Sequence, residues 1–593
     1  MLYLVVSIFV FVCFICAAYI CKNNQTKAIT IAFVGTLIST GILVYPLIQE
    51  IDEITNIIQT VFYVFDTPSM KGDFDLLANA PQNLYKLYEY TLYLYCVLSP
   101  ILAVGVIISF IGNLVDEIKV RRKTSKNVHI FSEINEKSVT LAESIDSSDL
   151  IVMYDKEDKK EFRERIKNIH GLILKKNIKN MYIKNFLGKI NIYEINENEE
   201  ENLNNTLSFI EKNKDLDRNM EVYVFSMEEE AQVILDSTVK NNVKTTIINE
   251  AQQMTYYVLD EVPLYTNAEN KKISALVVGS GKIGSEFVKA INWCGQMIDY
   301  SLNIHVVDKR ANKIKEEIKI NNPELLEYYD IHFYEVNVHH QDFYELIRTQ
   351  FKDVNYIVIN LGEDRLNLNT AIYLRKVFLQ MDQKPIINVM IENEYKNKQV
   401  LTLKNERGTE YELYPYGSIK DLYNVNHIIN QKIENLAKGV HLAYSKEDTE
   451  FKNYYKIEYN KKSSRASALH IKYKMYSILK DDYNNVSKIK EALQNKEILD
   501  YLAQNEHERW NAYVRSDGYK LASIDQVKGY FPKTNHHVYH LAKMHPTLVP
   551  WDELDHVSEE ISKIKHQEID FKDADYFIVK AIPEIMERGK KRE

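Results

Sequence analysis

The fold class that the sequence predicts is multidomain: an N-terminal three-helix transmembrane domain, two tandem parallel α/β units, and a mostly α-helical C-terminal domain. Three observations predict it. Residues 1–118 hold three apolar runs of bilayer length. Ser274 to Asp308 reads as apolar strand, glycine-spaced turn, helix, second apolar strand and terminal acid, and a similar rhythm without the glycines starts near Asn127. Residues 463–593 gather charged, histidine and tryptophan side chains at helical spacing.

In chain order, Leu2 to Cys21 is the first apolar run. It has no Lys or Arg before it and no small-residue cleavage pattern, so it predicts a retained membrane helix rather than a signal peptide. Ala28 to Leu47 and Thr91 to Leu114 are the second and third spans, the third with Pro100 inside it as a kink position. Lys119, Arg121, Arg122, Lys123 and Lys126 crowd the end of the third span and place that side in the cytoplasm. The turn 22–27 is then cytoplasmic too. The 49–90 connection lies outside, where Glu50, Asp52, Glu53, Asp66, Asp73, Asp75 and Glu89 outweigh Lys71 and Lys86. Within it Ile51, Ile54, Ile58, Val61, Phe62 and Phe65 recur at helical spacing, so the second span is expected to continue as an amphipathic helix that lines a vestibule or lies on the membrane surface. The spans hold no T-V-G-Y-G carbonyl ladder and no ionisable pathway residues. Cys13 and Cys16 fall inside the first span and read as small apolar residues.

Residues 127–262 read as a first α/β unit, with strands at Asn127–Phe131, Leu150–Tyr154, Ile190–Tyr193, Glu221–Phe225 and Thr245–Ile248. Its first turn is Ser132-Glu133-Ile134-Asn135, whose side chains block close phosphate approach, so this unit is expected to be structural or dimer-forming. Residues 270–400 form the second unit. Ala275 to Val278 runs into Gly279, Gly281 and Gly284, spaced G-x-G-x-x-G, with Lys282 and Ile283 opening the helix. The first glycine permits the tight turn, the second lets backbone approach a pyrophosphate, and the third packs the helix close to the strand. Free N–H groups and the dipole at the helix start then face the anion. Asp308 closes the next strand where a ribose-binding carboxylate belongs, followed by Lys309. The alternative is a Rossmann-type scaffold that keeps the turn for packing alone. Further strands are expected near 331–336, 356–360 and 386–390, residues 401–462 as a polar connector with a helix at 425–444, and a final domain from 463.

Two tandem Rossmann-like units after a small membrane domain resemble the TrkA-N, or RCK, domains that regulate potassium channels and transporters. The similarity covers roughly residues 127–400 and rests on Gly279, Gly281, Gly284 and Asp308. In the C-terminal domain Ser464-Arg465-Ala466-Ser467-Ala468, Glu506-His507-Glu508-Arg509-Trp510-Asn511, Gly518-Tyr519 and the run Lys543 to Leu554 resemble the RyR repeat of ryanodine receptors. Arg465, Glu506, His507, Arg509, Trp510, Lys543 and His545 are its candidate ligand residues. Arg and Trp together suit a phosphate and a stacked base, and the competing reading is a buried ion pair with a core Trp.

His536 and His540 have the i, i+4 spacing of metal ligands, but nothing nearby completes a site, so no metal is assigned. The net charge of −9 argues against a sequence-independent grip on DNA or RNA duplexes. No G-x-S-x-G, Walker lysine or Cys/His nucleophile pattern occurs, so the chain is not read as an enzyme. The cofactor is left unknown, with an adenine nucleotide or NAD fitting the glycine turn. The resemblances imply a homo-oligomeric, nucleotide-responsive effector of the bacterial inner membrane, of the kind implicated in antiphage defence, that gates or permeabilises the bilayer. The other readings are a regulator of a separate channel that binds NAD or ATP, and a membrane-bound NAD-dependent enzyme.

Overall fold

The computed structural model describes residues 1–593 except 22–24, 50–51, 70–73, 122–123, 176–182, 184–185, 214–219, 228–233, 236–242, 429–431, 531–541 and 591–593. The described residues form two parallel sheets of six strands each and one short parallel pair, Lys520–Leu521 with Met544–His545, and the chain divides into two compact units, Met1–Ile134 with Leu150–Lys189, and Asn135–Asp149 with Ile190–Glu593.

The first unit begins with α1 (Leu2–Ile20), α2 (Gln25–Val44), α3 (Glu53–Asp66) and α4 (Tyr85–Arg121). Among the described residues, two helical stretches are long and apolar enough to cross a membrane, Leu2–Ile20 and Tyr85–Ile107. The expectation of three spans is met in part. The run expected at 28–47 turns out of helix after Val44, and its apolar part, Ala28–Val44, falls short of the roughly 20 residues that a bilayer core takes. The span expected at 91–114 lies inside α4, which starts earlier and continues through Pro100. Only 11% of the apolar window of α1 and 28% of that of α4 is buried. Apolar surface left in water costs roughly 25 cal/mol per Å², so these outward faces fit an apolar surrounding.

Where the helices meet, packing is close. Gly35 of α2 lies against Phe14 of α1, where a Cβ would overlap the ring's own Cβ. Ser7 Oγ donates to the Ser39 carbonyl at 2.7 Å and lies 3.1 Å from the Tyr95 hydroxyl. Leu4, Leu43, Val44 and Leu92 complete this core. Helix α3 is not a continuation of α2: it starts afresh at Asp52, whose carboxylate accepts from Thr55 N at 2.9 Å. Its face of Ile54, Ile58, Val61, Phe62 and Phe65 is exposed. Of the basic collar, Arg122 and Lys123 fall outside the described residues, as do residues 22–24 of the expected cytoplasmic turn. The unit ends with three parallel strands, β1 (Val128–Phe131), β2 (Leu150–Tyr154) and the short β3 (Leu172–Leu174), in the order β3-β2-β1.

The second unit holds α5 (Glu136–Glu143) and the parallel strands β4 (Ile190–Glu194), β5 (Met220–Phe225) and β6 (Val243–Ile248), in that order. It also holds the whole second sheet: β7 (Lys272–Val278), β8 (Ser301–Asp308), β9 (Ile331–Glu335), β10 (Tyr356–Ile359), β11 (Ile386–Met390) and β12 (Tyr414–Tyr416). Read from β9, the order is β9-β8-β7-β10-β11-β12, all parallel. That is the doubly wound Rossmann order, and its direction reverses between β7 and β10, where such sheets open a crevice at their strand ends. Every residue of β7 after Lys272 is buried because helices cover both faces, which is why the strand reads as a continuous apolar run. Leu276 and Val278 pack with Ile357, Leu374 and Phe378, each fully buried aliphatic or aromatic side chain contributing about 1.5–3 kcal/mol. Helices Lys432–Tyr444, Glu458–Leu479, Lys496–Ser516 and Lys572–Lys590 share a separate core of Val440, Ile471, Leu502, Val579 and Ile582.

Candidate functional site

The glycine turn joins β7 to the Lys282–Cys294 helix. Gly279 has φ +91°, and its N–H donates to the Val307 carbonyl at 2.8 Å. A side chain there would strike the Asn360 carbonyl, and one on Gly284 would sit on the Gly279 carbonyl. Those two glycines are therefore required by turn conformation and close packing. Gly281 differs: nothing lies within 4 Å of where its Cβ would be, and as N-cap it leaves the helix start without a side-chain cap. Ser280 Oγ, in a residue only 3% exposed, has no hydrogen-bond partner.

A cavity of about 360 Å³ opens over this turn. Ser280, Gly281, Lys282 and Ser285 form its floor. Along the helix Glu286, Lys289 and Trp293 continue it, and Arg310, Lys313 and Glu317 enter from the helix after β8. The Glu250–Glu261 helix adds Gln252 and Tyr256, and the C-terminal helices add Lys462, Tyr513, Ser516 and Asp517. Five basic side chains, Lys282, Lys289, Arg310, Lys313 and Lys462, face three acids, Glu286, Glu317 and Asp517. The excess positive charge and the helix dipole suit an anion. Of the residues expected here only Gly281 and Lys282 line the cavity; Gly279, Ile283, Gly284, Asp308 and Lys309 do not. Asp308 is drawn into the turns: Oδ2 accepts from Ser280 N and Oδ1 from Arg310 N, both at 2.8 Å. Arg310, which does line the cavity, was missed in favour of its neighbour Lys309, although a basic residue directly after β8 was the signal that could have found it. Lys289 follows two turns along the same helix as Lys282, whereas Lys462 and Tyr513 carried no such signal, since only packing brings their helices to the turn.

In the first repeat the same position is occupied by the protein itself. Asn135 caps α5 by accepting from Ser138 N at 2.8 Å, and the Ser138 hydroxyl accepts from Asn135 N. A capping box takes the donors that an anion would use.

A second cavity of about 250 Å³ lies among the C-terminal helices. Glu506, His507, Arg509, Trp510 and His545 line it, with Tyr459 and the serines 463, 464 and 467. Arg465 and Lys543 do not: Arg465 Nε donates to Glu434 at 2.7 Å, and Lys543 Nζ to the Asp517 carbonyl at 2.7 Å. Glu506, fully buried, accepts from Arg509 Nη2 at 2.8 Å, from Ser467 Oγ at 2.8 Å and from Lys474. Burial alone would raise its pKa, but the charges of Arg509 and Lys474 outweigh that and hold the carboxyl well below its usual range. Arg509 Nη1 is buried with no partner. Trp510 Nε1 donates to Tyr459 at 3.0 Å, and its ring meets His545 edge-on at 4.9 Å. His507 Nε2 lies 2.8 Å from the Val549 carbonyl, and its Nδ1 lies 3.5 Å from Asp575, whose pKa burial raises. The buried ion pair and the cavity thus coexist, with Lys474 and Tyr459 as partners that the sequence blocks did not reveal.

Among the described residues no cluster of His, Cys, Asp and Glu has metal-holding geometry, and His536, His537 and His540 lie outside them. No protein-family model matches this chain, and no curated protein matches it.

Proposed function

We propose that this protein is a nucleotide-responsive membrane effector whose second Rossmann-like unit binds the signal and whose N-terminal helices leak or conduct in response. The observation that carries the proposal is the cavity over the glycine turn, where uncapped helix N–H groups, the unpartnered Ser280 hydroxyl, an open Gly281 and excess basic charge converge. The outward apolar faces of α1 and α4 support a membrane setting; in this reading the C-terminal domains lie on the cytoplasmic side and several copies of the chain build the leak. The likeness to TrkA-N and RyR proteins, and the antiphage role it implies, belong to this proposal and rest on the quoted motifs. Ligand energy does the work only through its difference between two states of the protein.

The test is calorimetry on the full chain with adenine and guanine nucleotides, followed by dye release from vesicles carrying the purified protein. The expected result is saturable binding and nucleotide-dependent release without any added subunit. Binding with tight vesicles favours a regulator of a separate channel, and turnover of the bound nucleotide favours an enzyme.

A further inference from the structure

The glycine-turn cavity has two places for an anion, on successive elements of the sheet. The first is the start of the Lys282–Cys294 helix, where Gly281 leaves open space and the buried Ser280 hydroxyl lacks a partner. The second is the start of the Ala311–Asn321 helix after β8. There the exposed Arg310 guanidinium makes no hydrogen bond or ion pair among the described residues, and Lys313, one helical turn on, meets only the exposed Glu317 at 3.5 Å. In a unit of this fold a nucleotide's 5′-phosphate sits on the first turn and the far edge of its ribose reaches the end of the second strand. An acid there binds the ribose hydroxyls and repels a phosphate, whereas an arginine accepts one. Here the acid is turned away. Asp308 does not line the cavity, and both its oxygens accept backbone N–H groups, from Ser280 and from Arg310, each at 2.8 Å. Of the nearby acids, Glu317 pairs with Lys313, Glu286 pairs with Lys289, and Glu335 accepts from Asn312 N.

Building on the nucleotide reading above, we propose that this cavity takes a nucleoside bisphosphate. Its 5′-phosphate lies on the Ser280–Gly281 turn, and a second phosphate, on the 2′ or 3′ position, lies on Arg310 and Lys313. A compact ligand of this kind places two separated charges against two separate cationic sites, which a single terminal phosphate chain does not.

Calorimetry on the full chain in detergent tests this with 2′,5′- and 3′,5′-bisphosphates of adenosine and guanosine against the matching 5′-monophosphates. At least one bisphosphate is expected to bind about tenfold or more tightly than its monophosphate, as charge-assisted pairing implies. In Arg310→Ala that advantage disappears, the bisphosphate then binding no more than about twofold more tightly than its monophosphate. Equal binding of bisphosphates and monophosphates, or an advantage that survives Arg310→Ala, overturns the proposal and leaves the nucleotide reading standing. Failure of every one of these ligands to bind overturns both.

Discussion

Gly281 and Gly284 stand three residues apart and answer to different demands. A Cβ at Gly281 meets no atom within 4 Å, so in Gly281→Asp folding is expected to survive while the carboxylate repels phosphate and binding is lost. Gly284→Ala puts a methyl on the Gly279 carbonyl and is expected to destabilise by about 1–3 kcal/mol, read as a fall in denaturation midpoint. In the C-terminal cavity, Arg509 is 1% exposed and braces Glu506, so Arg509→Ala removes part of a buried charge balance and is expected to cost about 3–5 kcal/mol. Trp510→Phe, which gives up one hydrogen bond to Tyr459, is the milder change in that cavity. His470 is buried beside Lys474 and Arg509, and burial first, then those two charges, holds its ring well below the usual 6.5. Because its folded value is depressed, its stabilising share is whole above about pH 6.5 and falls by up to about 1.4 kcal/mol per unit below that. Glu506, also depressed, adds a loss only below its usual value of 4.5, and Asp575, raised by burial, works in the opposite sense. The readout is therefore a difference: melting temperature followed from pH 7 to pH 5 should decline less in His470→Gln than in the wild type, and parallel curves would contradict the assignment.

At the scale of elements, the strands and the helices differ in how much of them could be read ahead. The interior strands β7, β8, β10 and β11 were all legible, β10 as a wholly apolar run and β7, β8 and β11 as mainly apolar ones that carry Ser274, His305 and Asn388, because their buried stretches are covered on both faces. Strand β12 was not. Its sequence Tyr-Pro-Tyr carries a proline that argues against a strand, and it is tolerated because β12 lies at the sheet edge. Strand β3, three residues long, is too short to show a period. Helix α3 was legible as an amphipathic helix but not as a separate one, since the deciding feature is the Asp52 cap. Its Phe62 is 64% exposed on an apolar face, and the effector reading proposed above has such a face lie in the membrane interface. Phe62→Trp in vesicles of brominated lipid is expected to show fluorescence quenching beyond that of the native Trp293, Trp510 and Trp551. Quenching equal to the wild type would place α3 in water.

At the scale of the molecule, the effector reading joins an anion cavity in one compact unit to apolar helices in the other through a continuous chain. Gly281→Asp protein should therefore insert into vesicles as the wild type does and yet release no dye when nucleotide is added. Release that persists in this variant would separate the leak from the glycine turn. The sequence by itself determined the two α/β repeats, the glycine turn and the apolar N-terminus, because glycine spacing and hydrophobic period are properties of short stretches. Only the tertiary structure decided which charged residues face a cavity and which are spent on each other. Arg465 is taken by Glu434, 31 residues away, and Glu506 by Lys474, 32 residues away. Lys462 and Tyr513 reach the glycine turn from helices far along the chain. Such pairings follow from how distant helices pack, and the energy that selects them lies in burial and charge balance rather than in any local pattern.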